Sequence, residues 1–176
     1  MNTPDTNPNA LQEKGFGTEL ITTAKRPGQV YTRILVATDF SACATAAFEQ
    51  GLKIAKQNHA ELLIAHSSVL PNDLCFMPSN AYWEWEKKSR AEAENNMSAL
   101  LEKARQENVN AHILALEGIA DDAIVETAKR LGVDLIVIGA HGYRKASRFF
   151  WGSVVAPMIV RAPCAVLTVH SPVPTA

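Results

Sequence analysis

Leu135-Ile136-Val137-Ile138-Gly139-Ala140-His141-Gly142 is the stretch whose reading decides the fold. Four consecutive apolar residues with no polar alternation suit a strand covered on both faces, as in a parallel sheet. The glycines that follow, three positions apart, permit a sharp turn and a close backbone approach to a ligand. Working outward, the same grammar recurs. Ile34–Ala37 and Leu62–Ala65 are short apolar runs, and Ala111–Leu116 and Ala165–Val169 read as two more strands.

Helical periodicity fills the gaps between these runs. Ala44, Ala47, Phe48, Gly51, Leu52 and Ala55 recur on one face, and Ser41 stands where a side chain can cap the helix. A loop with Pro71 and Pro78 is expected to run to about Tyr82. A long helix is expected from Trp83 to Glu107, with Ala93, Met97, Leu100, Leu101 and Ala104 on its stripe and Glu92, Glu94 and Lys103 solvated. Asp121 or Asp122 is expected to open the next helix, which carries Ile124, Ala128 and Leu131 and stops at Gly132. A short helix with Val155, Met158 and Ile159 ends before Pro163. Strands alternating with helices give an α/β fold, an open doubly wound parallel sheet with right-handed crossovers. In such sheets ligands bind beyond the carboxyl ends of the strands.

Composition bounds the function. The 176 residues suit one domain at 30–171, preceded by a tail or surface-packed extension at 1–29 and followed by a short tail at 172–176. Seventeen basic residues balance eighteen acidic ones, which argues against a nucleic-acid binder. No apolar run reaches the roughly 18–20 residues of a membrane span. The N-terminus lacks a signal-peptide pattern, and the three cysteines, Cys43, Cys75 and Cys164, form no framework or CxxC pair, so a cytoplasmic protein with idle thiols is expected. His66 and His141 fall at strand ends, while His59, His112 and His170 have no evident companions and no metal cluster is expected. Tyr82, Trp83 and Trp85 read as core aromatics rather than as a cover for a ligand or partner. The GxxxxGK[ST] phosphate loop and the GxSxG elbow are both absent.

After His141 the chain continues to Gly152-Ser153, which open a helix whose free amides and dipole favour an anion. Arg144, Lys145 and Arg148 lie between and supply positive charge. Asp39, at the end of a central strand, can bond a ribose or an adenine amino group, or serve as a cap beside Ser41, or do both.

The run GAHG-YRKASRFFW-GS, residues 139–153, resembles the G-x2-G-x9-G-[ST] pattern of the universal stress protein family at every fixed position. ILVATDFS at 34–41, VDLIVIGAHG at 133–142 and RAPCAVLTV at 161–169 resemble its strands, so the likeness spans about Tyr31 to His170. The resemblance implies a Rossmann-like five-stranded sheet of order 3-2-1-4-5, as in adenine nucleotide alpha hydrolase-like proteins. It also implies a site for ATP, or ADP or AMP, with Mg²⁺ as a companion ion. By position, Gly139 and Gly142 would meet phosphates and ribose, and Gly152 and Ser153 the β- and γ-phosphates, with Ile138, His141, Arg148 and Val154 around them. Ala37, Thr38 and Asp39 would line the adenine and ribose side and Ser67 would face the base, where the family often has an apolar residue. A homodimer through the edge strand Ala165–Val169 and a further protein partner are implied as well. Three functions stay open: a nucleotide-dependent regulatory module, a slow ATPase or phosphoryl-transfer enzyme assisted by Ser153, Arg148 or His141, and a nucleotide-free dimeric interaction protein. The intact glycine pattern counts against the third, and no evident base or nucleophile speaks for the second.

Overall fold

The computed structural model describes residues 28–68, 79–141 and 154–171. Along the chain lie β1 (Arg33–Ala37), α1 (Ala42–Asn58), β2 (Glu61–Ser68), α2 (Ser79–Gln106) and β3 (Ala111–Glu117). They are followed by α3 (Ala120–Leu131), β4 (Leu135–Gly139), α4 (Val155–Arg161) and β5 (Ala165–Val169). The strands form one parallel sheet in the order β3-β2-β1-β4-β5, as the resemblance implied.

Side-chain alternation divides the core between the two faces of the sheet. Ile34, Val36, Leu62, Ile64, Leu135 and Val137 face α1 and α2, meeting Phe48, Leu52, Met97 and Ala104. Leu35, Ala37, Leu63, Ala65, Ile136 and Ile138 face α3 and α4, meeting Ile124, Val125, Ala128, Val155 and Met158. Burial on both sides is why β1 and β4 contain no polar residue beyond Arg33, which bonds Glu61 at 2.5 Å. The winding reverses between β1 and β4, whose register places Ala37 beside Ile138. The segments after these two residues therefore emerge side by side at the switch point.

Several boundaries differ from expectation, each for a physical reason. β2 runs three residues past Ala65, because His66, Ser67 and Ser68 keep pairing with Ala115, Leu116 and Glu117. α2 begins at Ser79, not Trp83. None of residues 81–96 is fully buried, so the first turns carry no apolar stripe to mark them. α3 is capped by Ile119 with no side-chain bond; Asp121 and Asp122 sit in its first turn, where the dipole favours them, and both pair with Arg161 of α4. Ser41 does cap α1, its Oγ accepting from the Ala44 amide at 3.2 Å. Gly132 ends α3 in the left-handed region as read, with φ +62°.

At the opposite end of the strands Asp134 clamps the start of β1. Its carboxylate accepts from the Thr32 amide at 2.9 Å, the Thr32 hydroxyl at 2.6 Å and the Arg33 amide at 3.2 Å. Asp134→Asn keeps the shape but loses the charge and turns one acceptor into a donor. It is expected to cost about 2 kcal/mol, read by urea denaturation. A midpoint equal to that of the parent protein would show that the clamp adds nothing.

Candidate functional site

The site grows out of the turn after β1. Thr38 continues the strand's pairing, its amide donating to Ala65 O at 2.9 Å. Asp39 Oδ1 accepts from the Ser41 amide at 3.1 Å, so its capping role is real. Between them Phe40 takes φ +62°, a left-handed conformation that a bulky residue rarely adopts. Its amide donates to Thr38 Oγ1 at 3.0 Å, and its ring packs 4.6 Å from the His66 ring, contacts that hold the turn. His66 Nδ1 lies 2.8 Å from Thr38 O; the carbonyl only accepts, so Nδ1 carries the proton.

These residues open onto a cleft of about 550 Å³, a size usual for small-molecule sites. Thr38, Asp39, Phe40 and His66 line its strand side, with Thr45 of α1 beside them. Ser89, Glu92, Ala93, Asn96 and Leu100 of α2 form its far wall, and Phe48 belongs to its floor. Glu92, read as a solvated residue, is exposed yet faces this cleft. The sequence signals missed here were Phe40, whose backbone conformation a pattern does not reveal, and the α2 wall, which only the fold brings near Asp39.

The second half of the site lies across the switch point. Gly139 is the last, buried residue of β4, and a Cβ there would stand 2.8 Å from both Ala44 N and Cys43 C of α1. Its smallness is therefore required by packing, whatever else it does. Ala140 N donates to Val169 O at 2.8 Å, carrying the pairing with β5 one residue further. His141 is half-buried; its Nδ1 is buried without a hydrogen-bond partner among the described residues, and its ring stands 5.5 Å from that of His170. His170 thus has a companion after all. So does His112, whose Nε2 lies 3.2 Å from Glu61 Oε1.

Ala37 and Ile138 are buried side by side beneath these turns, on the face toward α3 and α4. Val154 is half-buried and immediately precedes α4. Ser67 points elsewhere than the cleft: its hydroxyl donates to Gly118 O at 2.7 Å, and His66 is the β2 residue that lines the cavity. Gly142, Arg144, Lys145, Arg148, Gly152 and Ser153 lie outside the described residues, as do Cys75 and the prolines at 71 and 78. Of the aromatic trio read as core, Trp83 is 64% exposed and packs edge-on to Tyr82, because the start of α2 overhangs the sheet. Cys43 and Cys164 are free and half-buried. Burial, with the negative Asp134, pushes the Cys164 thiol above its ordinary range.

A doubly wound α/β domain with a cleft beyond the carboxyl ends of β1 and β2 belongs to a broad class of ligand-binding folds. The comparisons narrow it. The sequence matches the universal stress protein family over residues 30–170, and the chain belongs to that family. A universal stress protein of Methanocaldococcus jannaschii is 30% identical over 144 residues, covering 81% of this chain and 84% of the relative. The solved structure of universal stress protein UspA from Lactobacillus plantarum superposes with a TM-score of 0.68 at 28% identity, covering 79% of this chain and 97% of that one. A family member from Arabidopsis thaliana with AMP bound shares the fold at 21% identity, with a TM-score of 0.60 over 80% of this chain and 92% of that one. Family structures with cAMP and with dAMP share the fold at 24% and 22% identity.

Proposed function

We propose that the protein binds an adenine nucleotide, ATP foremost, and acts as a nucleotide-dependent regulatory module rather than as a catalyst of rapid turnover. The observation that carries this reading is the convergence at the switch point. Thr38 and Asp39 emerge from β1 beside the Gly139-Ala140-His141 turn of β4, the start of the complete G-x2-G-x9-G-[ST] spacing. The orphaned Nδ1 of His141 supports it, since a buried polar atom without a partner among the described residues calls for one. The adenine nucleotides held by structures of the same fold point the same way. Arg148 and Ser153 serve the phosphates on this reading. Mg²⁺ would ride on those phosphates, because among the described residues no group of three or more His, Cys, Asp or Glu side chains converges.

Purified protein, denatured and analysed by chromatography, should release adenine nucleotide, and the stripped protein should bind ATP in a calorimeter. Gly152→Val, which places a branched side chain where the pattern requires none, should abolish that binding. A parent protein that neither retains nucleotide nor gives heat with ATP would end the reading. Hydrolysis at many turnovers per minute, lost in Ser153→Ala, would favour the enzyme instead.

Self-association belongs to the same reading. β5 is an edge strand, and beside it Val160 and Ile159 of α4 are 85% and 42% exposed. A strand edge flanked by apolar side chains is a surface that a second copy can cover. Sedimentation is expected at about twice the 19.1 kDa of the chain. A species of monomer mass at micromolar concentration would refute the dimer.

A further inference from the structure

β3 stands at one edge of the sheet, and its outer side meets no strand among the described residues. Leu62 N donates to Asn110 O at 2.9 Å, and parallel pairing alternates residue by residue from there. His112, Leu114 and Leu116 therefore turn their backbone groups to β2, while Ala111, Ile113, Ala115 and Glu117 turn theirs outward. The sequence AHILALE contains neither proline nor lysine, the usual means of blunting an edge, and its one carboxylate comes last. Leu114 and Leu116 on the α3 face and Ile113 on the α2 face are only half-buried. An edge of this kind is a template for one more strand.

The chain that can reach it lies just before β1. The family match begins at residue 30, so residues 1–29 lie outside the shared domain. Between Pro8 and Pro27 runs a stretch without proline, and within it Phe16-Gly17-Thr18-Glu19-Leu20-Ile21-Thr22-Thr23 is rich in β-branched residues. In an extended strand Phe16 and Leu20 share one face and Ile21 takes the other. That division, two apolar residues against one, matches Leu114 and Leu116 against Ile113 on β3. Asn58 Oδ1 accepts from the Val30 amide at 3.3 Å and the Tyr31 amide at 3.4 Å, which holds the entering chain where β1 and β2 begin. Three strand spacings, about 14 Å, separate β1 from a position outside β3. The five Cα steps from Thr23 to Gly28 span up to about 17 Å. So short a link keeps both strands' near ends at the same end of the sheet, and the added strand must run opposite to β3.

We propose that residues 16–23 add to the outer edge of β3 as an antiparallel sixth strand. Phe16 and Leu20 cover the α3 side of the edge and Ile21 the α2 side. A parallel sheet with one antiparallel edge strand is a common arrangement. The β3 edge is then closed within one chain, which leaves β5 as the edge open to a second copy. No nucleotide is needed for this.

Residue-resolved amide hydrogen exchange on the whole protein tests it. In the parent the outward amides of Ile113 and Ala115 should exchange about tenfold more slowly than free amides, or slower still. That protection should be the same after dilution of the protein. Successive amides of a strand point to opposite sides, so one of Leu20→Pro and Ile21→Pro removes a bond to β3. That variant should return Ile113 and Ala115 to the free rate, while the Leu114 and Leu116 amides, bonded to β2, stay protected. Both substitutions lie outside the domain core, so loss of protection confined to the outward amides separates undocking from unfolding. Free exchange at Ile113 and Ala115 in the parent would overturn the proposal. Protection that survives both prolines, or that fades on dilution and so belongs to a second copy, would overturn it equally.

Discussion

Gly139→Val is expected to lose folding stability and nucleotide binding together, by a mechanism that begins without any ligand. Gly139 closes β4 directly against the first turn of α1. A Cβ at this position would come within 2.8 Å of Ala44 N and of Cys43 C, and within 2.9 Å of Cys43 Cβ. Two of these three atoms are backbone, so no rotamer change relieves the contact. The helix start must move instead, and it is held there by the Ser41 cap and by Ala44, Ala47 and Phe48 packed beneath. Overpacking of this kind costs about 3 kcal/mol, and a branched side chain stands at the upper end. The same displacement shifts Asp39, whose carboxylate is bound to the Ser41 amide, so the residue proposed for the ribose moves with the helix. The expected result is a lower urea midpoint in the nucleotide-free protein and weaker ATP binding. Gly139→Ala should show both effects at reduced size. If Gly139 served the ligand alone, the nucleotide-free protein would unfold like the parent, and that outcome would sink the packing account.

This double duty explains why the sequence was informative about some parts of the site and silent about others. The β4 run was legible because burial on two faces forces an unbroken apolar tetrad, and a helix cap such as Ser41 leaves a local mark. The sheet order came through resemblance rather than periodicity, because pairing between strands distant in sequence leaves no local pattern. Ser67 was assigned to the base by position in the chain; its hydroxyl donates to Gly118 O, and its neighbour His66 is the β2 residue that lines the cleft. One residue along a strand reverses the face, and a strand that extends past its apolar run gives no signal of where it ends. The α2 wall was the least legible part. Glu92 on an exposed turn looks the same in sequence whether it meets water or a cleft 53 residues away from Asp39 in the chain. Only the overhang of a 28-residue helix, about 42 Å long, past the sheet edge places it there.

Phe48→Ala is expected to cost the most stability of any truncation among the described residues. Phe48 is fully buried, the largest side chain with no exposure among the described residues, and its ring joins α1 to the β1–β2 face and to the cleft. Truncation removes the ring's burial and leaves a hole beneath the strands, so a loss of about 3–5 kcal/mol is expected. Domains of this kind unfold with about 5–15 kcal/mol, so the variant should be folded but close to its limit, melting many degrees lower. Nucleotide then becomes a second probe. A ligand that binds only the native state adds about 2.7 kcal/mol at one hundred times its dissociation constant. If Phe48 acts only as core, ATP raised to one hundred times the variant's own constant should restore that full amount, with the constant itself little changed. If the ring also shapes the cleft beside Asp39, the constant should rise several-fold, and a fixed ATP concentration should rescue the variant by correspondingly less. Phe48→Leu, which refills most of the volume, should recover most of the stability, whereas the flat ring surface on the cleft would stay lost. Full ATP affinity in both variants would confine Phe48 to the core and remove it from the site.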